Sequence, residues 1–144
     1  MARLDRARLD VAEFPVRFVV QTRFDDLDML GHVNNVSVVV FLQEARVDFN
    51  HQAGLMRVGD GVRMMAAGLT VEFAGEMHHP APIEVFTGVL GIGRTSFTLG
   101  QVVCQEGRKT AYGEATLVFA DANGTTPSPA DWRRGLERLV IGAK

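Results

Sequence analysis

The chain has one cysteine, Cys104, one tyrosine and one tryptophan in 144 residues. With no second thiol there is no intrachain disulfide, so packing alone must hold the fold, which is compatible with a reducing compartment. Within the apolar alternation Gln101-Val102-Val103-Cys104, the thiol reads as a small core hydrophobe. Long hydrophobic runs are absent too: the longest candidate, Val36 to Leu42, is well short of the ~18 residues that crossing a bilayer takes. No membrane partner is expected. The N-terminus mixes Arg3, Asp5, Arg6, Arg8 and Asp10 with no apolar stretch behind them, so no signal peptide is expected and a cytoplasmic location is. Excess charge is also missing. Lys and Arg number 15 against 17 Asp and Glu, a formal net charge of -2, which offers no broad basic field for nucleic acid. Any anionic ligand must be met by local groups. Candidate metal ligands do not converge in the sequence, and no metal is expected.

What is present fits a single domain over residues 1–144, with 47% hydrophobic content and one core burying roughly two thirds of the unfolded surface. Residues 1–12 read as a solvated arm. Phe14 to Phe24 is β-branched and aromatic with Pro15 at its start, as a first strand would be. A carboxylate-rich turn closes on Gly31, and a helix follows to about Gln52, with Ser37 or Asn35 as cap and Gly54 as stop. Val36, Val39 and Val40 make its first turns apolar nearly all round, which predicts burial on most sides. Those valines lower helix propensity, so packing must hold the helix, and a strand is the alternative. After a loop at 55–63 the pattern turns to β over 64–75, 76–79, 83–90, 96–104 and 110–119. The short connections at 91–95 and 105–109 predict antiparallel neighbours. A turn-rich linker leads to a short helix within 127–140, carrying Trp132, Leu136 and Leu139. One helix and an antiparallel sheet make an α+β layer architecture.

The most informative stretch is Asp26-Leu27-Asp28-Met29-Leu30-Gly31-His32-Val33-Asn34-Asn35, with Glu44-Ala45-Arg46 one helix later. A strand, a turn and a helix start can set a carboxylate beside free N–H groups at the positive end of a helix dipole. That arrangement suits acyl transfer. The string Asp-x-Asp-x-x-Gly-His-Val-Asn-Asn resembles the signature of the hotdog-fold acyl-CoA thioesterases, the group that includes 4-hydroxybenzoyl-CoA thioesterase, over about residues 14–120. The resemblance implies an antiparallel sheet wrapped around one long central helix, and hydrolysis of acyl-CoA to free acid and coenzyme A. It implies no cofactor beyond the coenzyme A of the substrate. It also implies a homodimer or homotetramer with sites at subunit junctions, and an exposed sheet edge points the same way. A non-catalytic module binding acyl-CoA or acyl-carrier protein is the second reading. A hotdog dehydratase lacks a suitably placed histidine and acid.

Residue by residue, the resemblance makes Asp28 the catalytic carboxylate, as nucleophile or as base for a water. Taken by itself, Asp28 reads as a turn or cap carboxylate. Asp25 and Asp26 read as solvent-facing or capping groups. Gly31 permits a tight turn, and His32 either orients Asp28, polarises the carbonyl or is a bonded turn histidine. Asn34 and Asn35 tie the turn or cap the helix, and the N–H near Asn35 is the implied oxyanion donor. Glu44 is a second-rank catalytic candidate, with a polar helix-edge role as its plainer reading. Arg94, Thr95 and Ser96 are the implied phosphate contact, and His79, beside His78, a further one. The chain departs from the family where aromatic residues often begin the helix, having Val38 and Phe41 there. A smooth pocket lined by Val36, Val39, Met64 or Met65 predicts an aliphatic acyl group.

Overall fold

In the computed structural model, which describes residues 10–55 and 61–142, one long helix lies against a curled antiparallel sheet. Residues 1–9 of the expected arm and 56–60 of the expected loop lie outside the described residues. The elements are β1 (Val16–Val20), α1 (Asn35–Ala53), β2 (Arg63–Phe73), β3 (Ile83–Ile92), β4 (Ser96–Gln105), β5 (Arg108–Asp121), β6 (Gly124–Thr125) and α2 (Ala130–Glu137). The sheet runs β1-β3-β4-β5-β2, with β6 on β5 and every strand pairing antiparallel. This is the hotdog arrangement of an α+β fold. None of the described helices is long and apolar enough to cross a membrane.

Helix α1 is capped by Asn34, one of the expected capping residues, and not by Asn35 or Ser37. Asn34 has extended backbone angles and its Oδ1 accepts from the Val36 N–H at 2.9 Å, satisfying one of the donors a first turn leaves open. The helix ends at Gly54, where φ is 77° and the N–H of Leu55 reaches back to the Asn50 carbonyl at 2.8 Å, a left-handed glycine stop. The valine run lowers propensity by at most about 2 kcal/mol for three residues. Burying Phe41 and Leu42 alone contributes roughly 3–6 kcal/mol, so packing wins and the strand alternative falls.

Burial of α1 is one-sided, however. Val38, Phe41, Leu42, Ala45, Phe49 and Ala53 face the sheet, while Val36, Val40 and Val47 stay exposed. The C-terminal half of α1, through Phe49 and Ala53, packs with Phe97, Leu99, Phe119, Trp132 and Leu136. The N-terminal half packs with Ile83, Val85, Val103 and Ala111, and this cluster also takes in Val33 and Met77. The core therefore reaches directly to the turn that precedes α1. Between helix and sheet, the buried Gln101 side chain donates to the Leu42 carbonyl and to Thr87 and accepts from Arg46. Burial holds the Arg46 guanidinium below its ordinary range. On the other face Cys104 packs with Phe14, Val102 and Tyr112, and burial, with Glu84 adding to it, pushes its thiol up. It is a core group.

Two stretches depart from the expected strands. β1 stops at Val20 because the Thr22 hydroxyl turns aside to His79 Nδ1, at 2.8 Å. Residues 76–79 are not a strand, since Gln105 binds this loop through the His78 N–H, the His78 carbonyl and the Ala81 carbonyl.

Helix α2 lies inside the expected 127–140 span and docks through Gly135. A Cβ at that position would sit 1.9 Å from the Ala53 carbonyl oxygen, a backbone atom that cannot swing aside. Gly135→Ala is expected to cost about 3 kcal/mol or more, lowering the melting temperature by roughly 10 °C in a thermal melt. An unchanged melt would mean that α2 does not dock this way.

Candidate active site

The turn before α1 is built from its ends inward. Phe24–Asp26 forms one 3-10 turn in which Asp26 is buried, 1% exposed, and accepts from the Arg23 N–H at 2.8 Å and from the Arg23 guanidinium at 3.0 Å. Burial alone would push this carboxyl up; hydrogen bonds from the Arg23 side chain, the Arg23 N–H and Ser37 outweigh it and hold it below the ordinary range. Asp26 thus caps backbone as expected but does not face solvent, whereas Asp25 does. The Asp26 carbonyl then accepts from the Asn34 N–H at 2.7 Å, Leu27 bridges Val33, and the Val33 N–H donates to the Met77 carbonyl at 2.8 Å.

Asp28 sits inside this closed loop. Its N–H donates to the His32 carbonyl at 2.9 Å, and its own carbonyl accepts from Gly31 at 3.1 Å. Gly31 has φ of 79°, a left-handed conformation that favours glycine. Asp28 Oδ1 accepts from the Leu30 and His32 N–H groups at 2.9 and 3.1 Å. Among the described residues its Oδ2 has no hydrogen-bond partner. The carboxylate is oriented through one oxygen, leaving the other for a ligand.

Asp28, His32 and Asn35 line one cavity of about 310 Å³, together with Val33, Phe73, Gly75, Glu76 and Met77. Asn35 opens α1, so its N–H lies in the first turn, where no intrahelical acceptor exists. His32 Nε2 is 3.3 Å from Glu76 Oε2, and its ring meets that of His78 edge to face at 5.5 Å. A carboxylate, an imidazole and a helix N-terminus around an open cavity can bind and attack a polarised carbonyl.

The other expected residues lie apart from it. Glu44 is exposed on α1 and does not line the cavity. Arg94, Thr95 and Ser96 sit at the turn between β3 and β4, beside the C-terminal half of α1, where Phe97 packs. Ser96 lies seven residue steps along β4 from Val103 at the Asp28 end, about 24 Å at ~3.4 Å per residue. Within one protomer the two groups do not share a pocket. The His79 ring is engaged by Thr22 through Nδ1 and is not part of the cavity. Val36, Val39, Met64 and Met65 do not line it either; Phe73, Val33 and Met77 supply its apolar wall. Glu76 and Gly75 carry no signal in the sequence. Their place depends on the Ala74 and Gly75 N–H groups meeting the Thr110 carbonyl at 2.8 and 3.1 Å, a long-range pairing with no local signature.

The model of the thioesterase-like superfamily matches residues 22–136. The chain belongs to that superfamily. Among solved structures, a thioesterase from Thermus thermophilus complexed with coenzyme A and Zn is 28% identical, with a TM-score of 0.80 over 88% of this chain and 95% of that one. The PA5185 protein from Pseudomonas aeruginosa strain PAO1 is 24% identical and superposes with a TM-score of 0.81 over 92% and 96%, a likeness of fold. An uncharacterized protein, YsmA, of Bacillus subtilis (strain 168) is 22% identical over 80 residues, 56% of this chain and 54% of that protein. The match thus spans about half of that relative's length. Among the described residues of this superfamily member, no group of three or more His, Cys, Asp or Glu is placed to hold a metal ion.

The Asp26 clamp has a pH signature. Its folded pKa lies below that of the unfolded chain, about 3.9. The stability it contributes is therefore present above that value and lost as pH falls through the folded pKa. Asp26→Asn is expected to destabilise the protein by about 1–3 kcal/mol at neutral pH, with the gap to wild type narrowing below about pH 4 in urea melts. A gap independent of pH would contradict the ionised clamp.

Proposed function

We propose that the protein hydrolyses acyl-CoA thioesters, with Asp28 as the catalytic carboxylate. The superfamily and the thioesterases among its structural neighbours support the reaction class. The observation that supports the residue is the pinning of Asp28 Oδ1 by two N–H donors on the wall of a cavity that also reaches Asn35 at the start of α1. The substrate carbonyl lies between Asp28 and the Asn35 N–H. As a base, Asp28 takes a proton from water, hydroxide adds to the carbonyl carbon, the oxyanion is held by the helix N-terminus, and as it collapses the C–S bond breaks and the proton on Asp28 passes to the departing thiolate, releasing coenzyme A and the acid. As a nucleophile, Asp28 forms a mixed anhydride that water then opens, with the same products.

The coenzyme A of a neighbour's complex supports the same carrier for this substrate, with Arg94, Thr95 and Ser96 on its phosphates. Because that turn is remote from Asp28 within one protomer, the reading includes a second copy. Exposed Leu69 and Phe73 on the outer strand β2, and exposed Val36, Val40 and Val47 on α1, favour a homodimer or homotetramer. The alternative remains a binding module without turnover.

Asp28→Asn separates these readings, because asparagine Oδ1 can still accept from Leu30 and His32 and so preserve the turn. The variant is expected to melt within a few degrees of wild type and to release thiol from acyl-CoA about 100- to 10,000-fold more slowly. Equal background release by both proteins, with acyl-CoA still bound, would sink the hydrolase reading and leave the module. Sedimentation at micromolar concentration is expected to give a dimer or tetramer; a monomer would remove the shared site.

A further inference from the structure

The cavity beside Asp28 carries a second carboxylate that the proposed chemistry does not use. Glu76 lines the same 310 Å³ space and sits on a loop held from both sides. The N–H groups of Ala74 and Gly75 donate to Thr110, and the Met77 carbonyl accepts from Val33 in the Asp28 turn. His78 beyond it is bound by Gln105. Glu76 therefore keeps a defined place relative to Asp28, with its carboxylate against His32. No lysine or arginine is among the residues lining the cavity. With His32 neutral the lining carries two negative charges, Asp28 and Glu76. With His32 protonated it still carries one in excess.

We infer that this cavity selects acyl groups by charge, accepting neutral ones and turning away those that end in a carboxylate, with Glu76 as the residue that sets the discrimination. The inference rests on the reading that the acyl group enters beside Asp28. A terminal carboxylate entering this space of about 310 Å³ approaches two like charges with no lysine or arginine lining it to receive the ion. At an effective dielectric of about 20, one like charge roughly 6 Å away disfavours the ion by on the order of 100-fold. The Glu76 side chain is 65% exposed, so solvent screening reduces its own share to roughly threefold to tenfold. The selection should therefore weaken as salt is added.

The test compares pentanoyl-CoA with glutaryl-CoA, which have five-carbon acyl chains and differ in the terminal carboxylate, after subtracting uncatalysed hydrolysis. Wild type is expected to favour pentanoyl-CoA by about tenfold or more in kcat/KM at low salt. Glu76→Gln is expected to raise the glutaryl to pentanoyl ratio roughly three- to tenfold, and Glu76→Lys to raise it further. The ratio is read because a general loss through His32 would lower both substrates together and cancel. Equal use of the two by wild type, or a ratio unmoved in both variants, overturns the proposal. A wild type that releases thiol from neither compound does not turn over five-carbon acyl groups. The selection is then read from binding of the same two compounds by calorimetry, where weaker glutaryl-CoA binding supports it and equal affinity overturns it.

Discussion

A 2.7 Å hydrogen bond from the Asn34 N–H to the Asp26 carbonyl is the contact on which the site depends. On one side of it Asp26 is buried and held by Arg23; on the other Asn34 caps α1. By joining them it shuts residues 27–33 into a loop whose ends cannot move independently. Val33 then enters the core with Phe41 and Leu42, so the apolar packing of α1 and the placing of Asp28 are one arrangement. A long acidic turn on a protein surface would ordinarily be mobile. Here it has a buried carboxylate at one end, a helix cap at the other and a core valine between, while Asp28 needs only two short-range N–H bonds to be aimed.

The same turn explains why helix and loop act together at the cavity. A helix N-terminus offers donors to any passing anion. It becomes useful to a thioester when a carboxylate stands opposite, fixed, with room between for a carbonyl carbon. The left-handed Gly31 reverses the chain so that the Asp28 N–H donates to the His32 carbonyl and the His32 N–H donates to the Asp28 carboxylate, and His32 in turn meets Glu76 on the neighbouring loop. Gln105 and Thr22 hold that neighbouring loop from the sheet side. Positions far apart in the chain, 22, 28, 76 and 105, thus support one small volume.

Much of this is legible in the sequence and some is not, for identifiable reasons. Gly54 announces the end of α1 because a left-handed stop is a local property of one residue. The start is less sharp, since Asn34, Asn35 and Ser37 are all capping residue types and only the backbone angles at Asn34 decide among them. The sequence pattern makes β1 too long because Thr22 and Phe24 are strand-forming residues in an alternating run; the hydroxyl bond to His79, 57 residues away, overrides that preference. Asp26 has the look of a surface acid because nothing local shows that Arg23 folds back over it. Glu76 carries no motif at all, and its place at the cavity arises from contacts such as the pairing of Ala74 and Gly75 with Thr110. Local chemistry is readable, and contacts closed through the sheet are not.

The unevenness of α1 follows from the same division. The valine-rich first turns predict a helix buried on most sides, yet one sheet of this width covers only the stripe through Val38, Phe41, Leu42 and Ala45. Val36, Val40 and Val47 are left in water, and so are Leu69 and Phe73 on β2, the strand that ends the sheet. Single exposed apolar residues are ordinary. Among the described residues, an apolar helix flank and an apolar end strand exposed together are less so, because each could be covered by another chain at little cost. That economy bears on chemistry as well as assembly. Asp28 stands at the N-terminal end of α1 and Arg94 beyond the other end of β4, so a ligand touching both must either run the length of the sheet or meet Arg94 of a second copy.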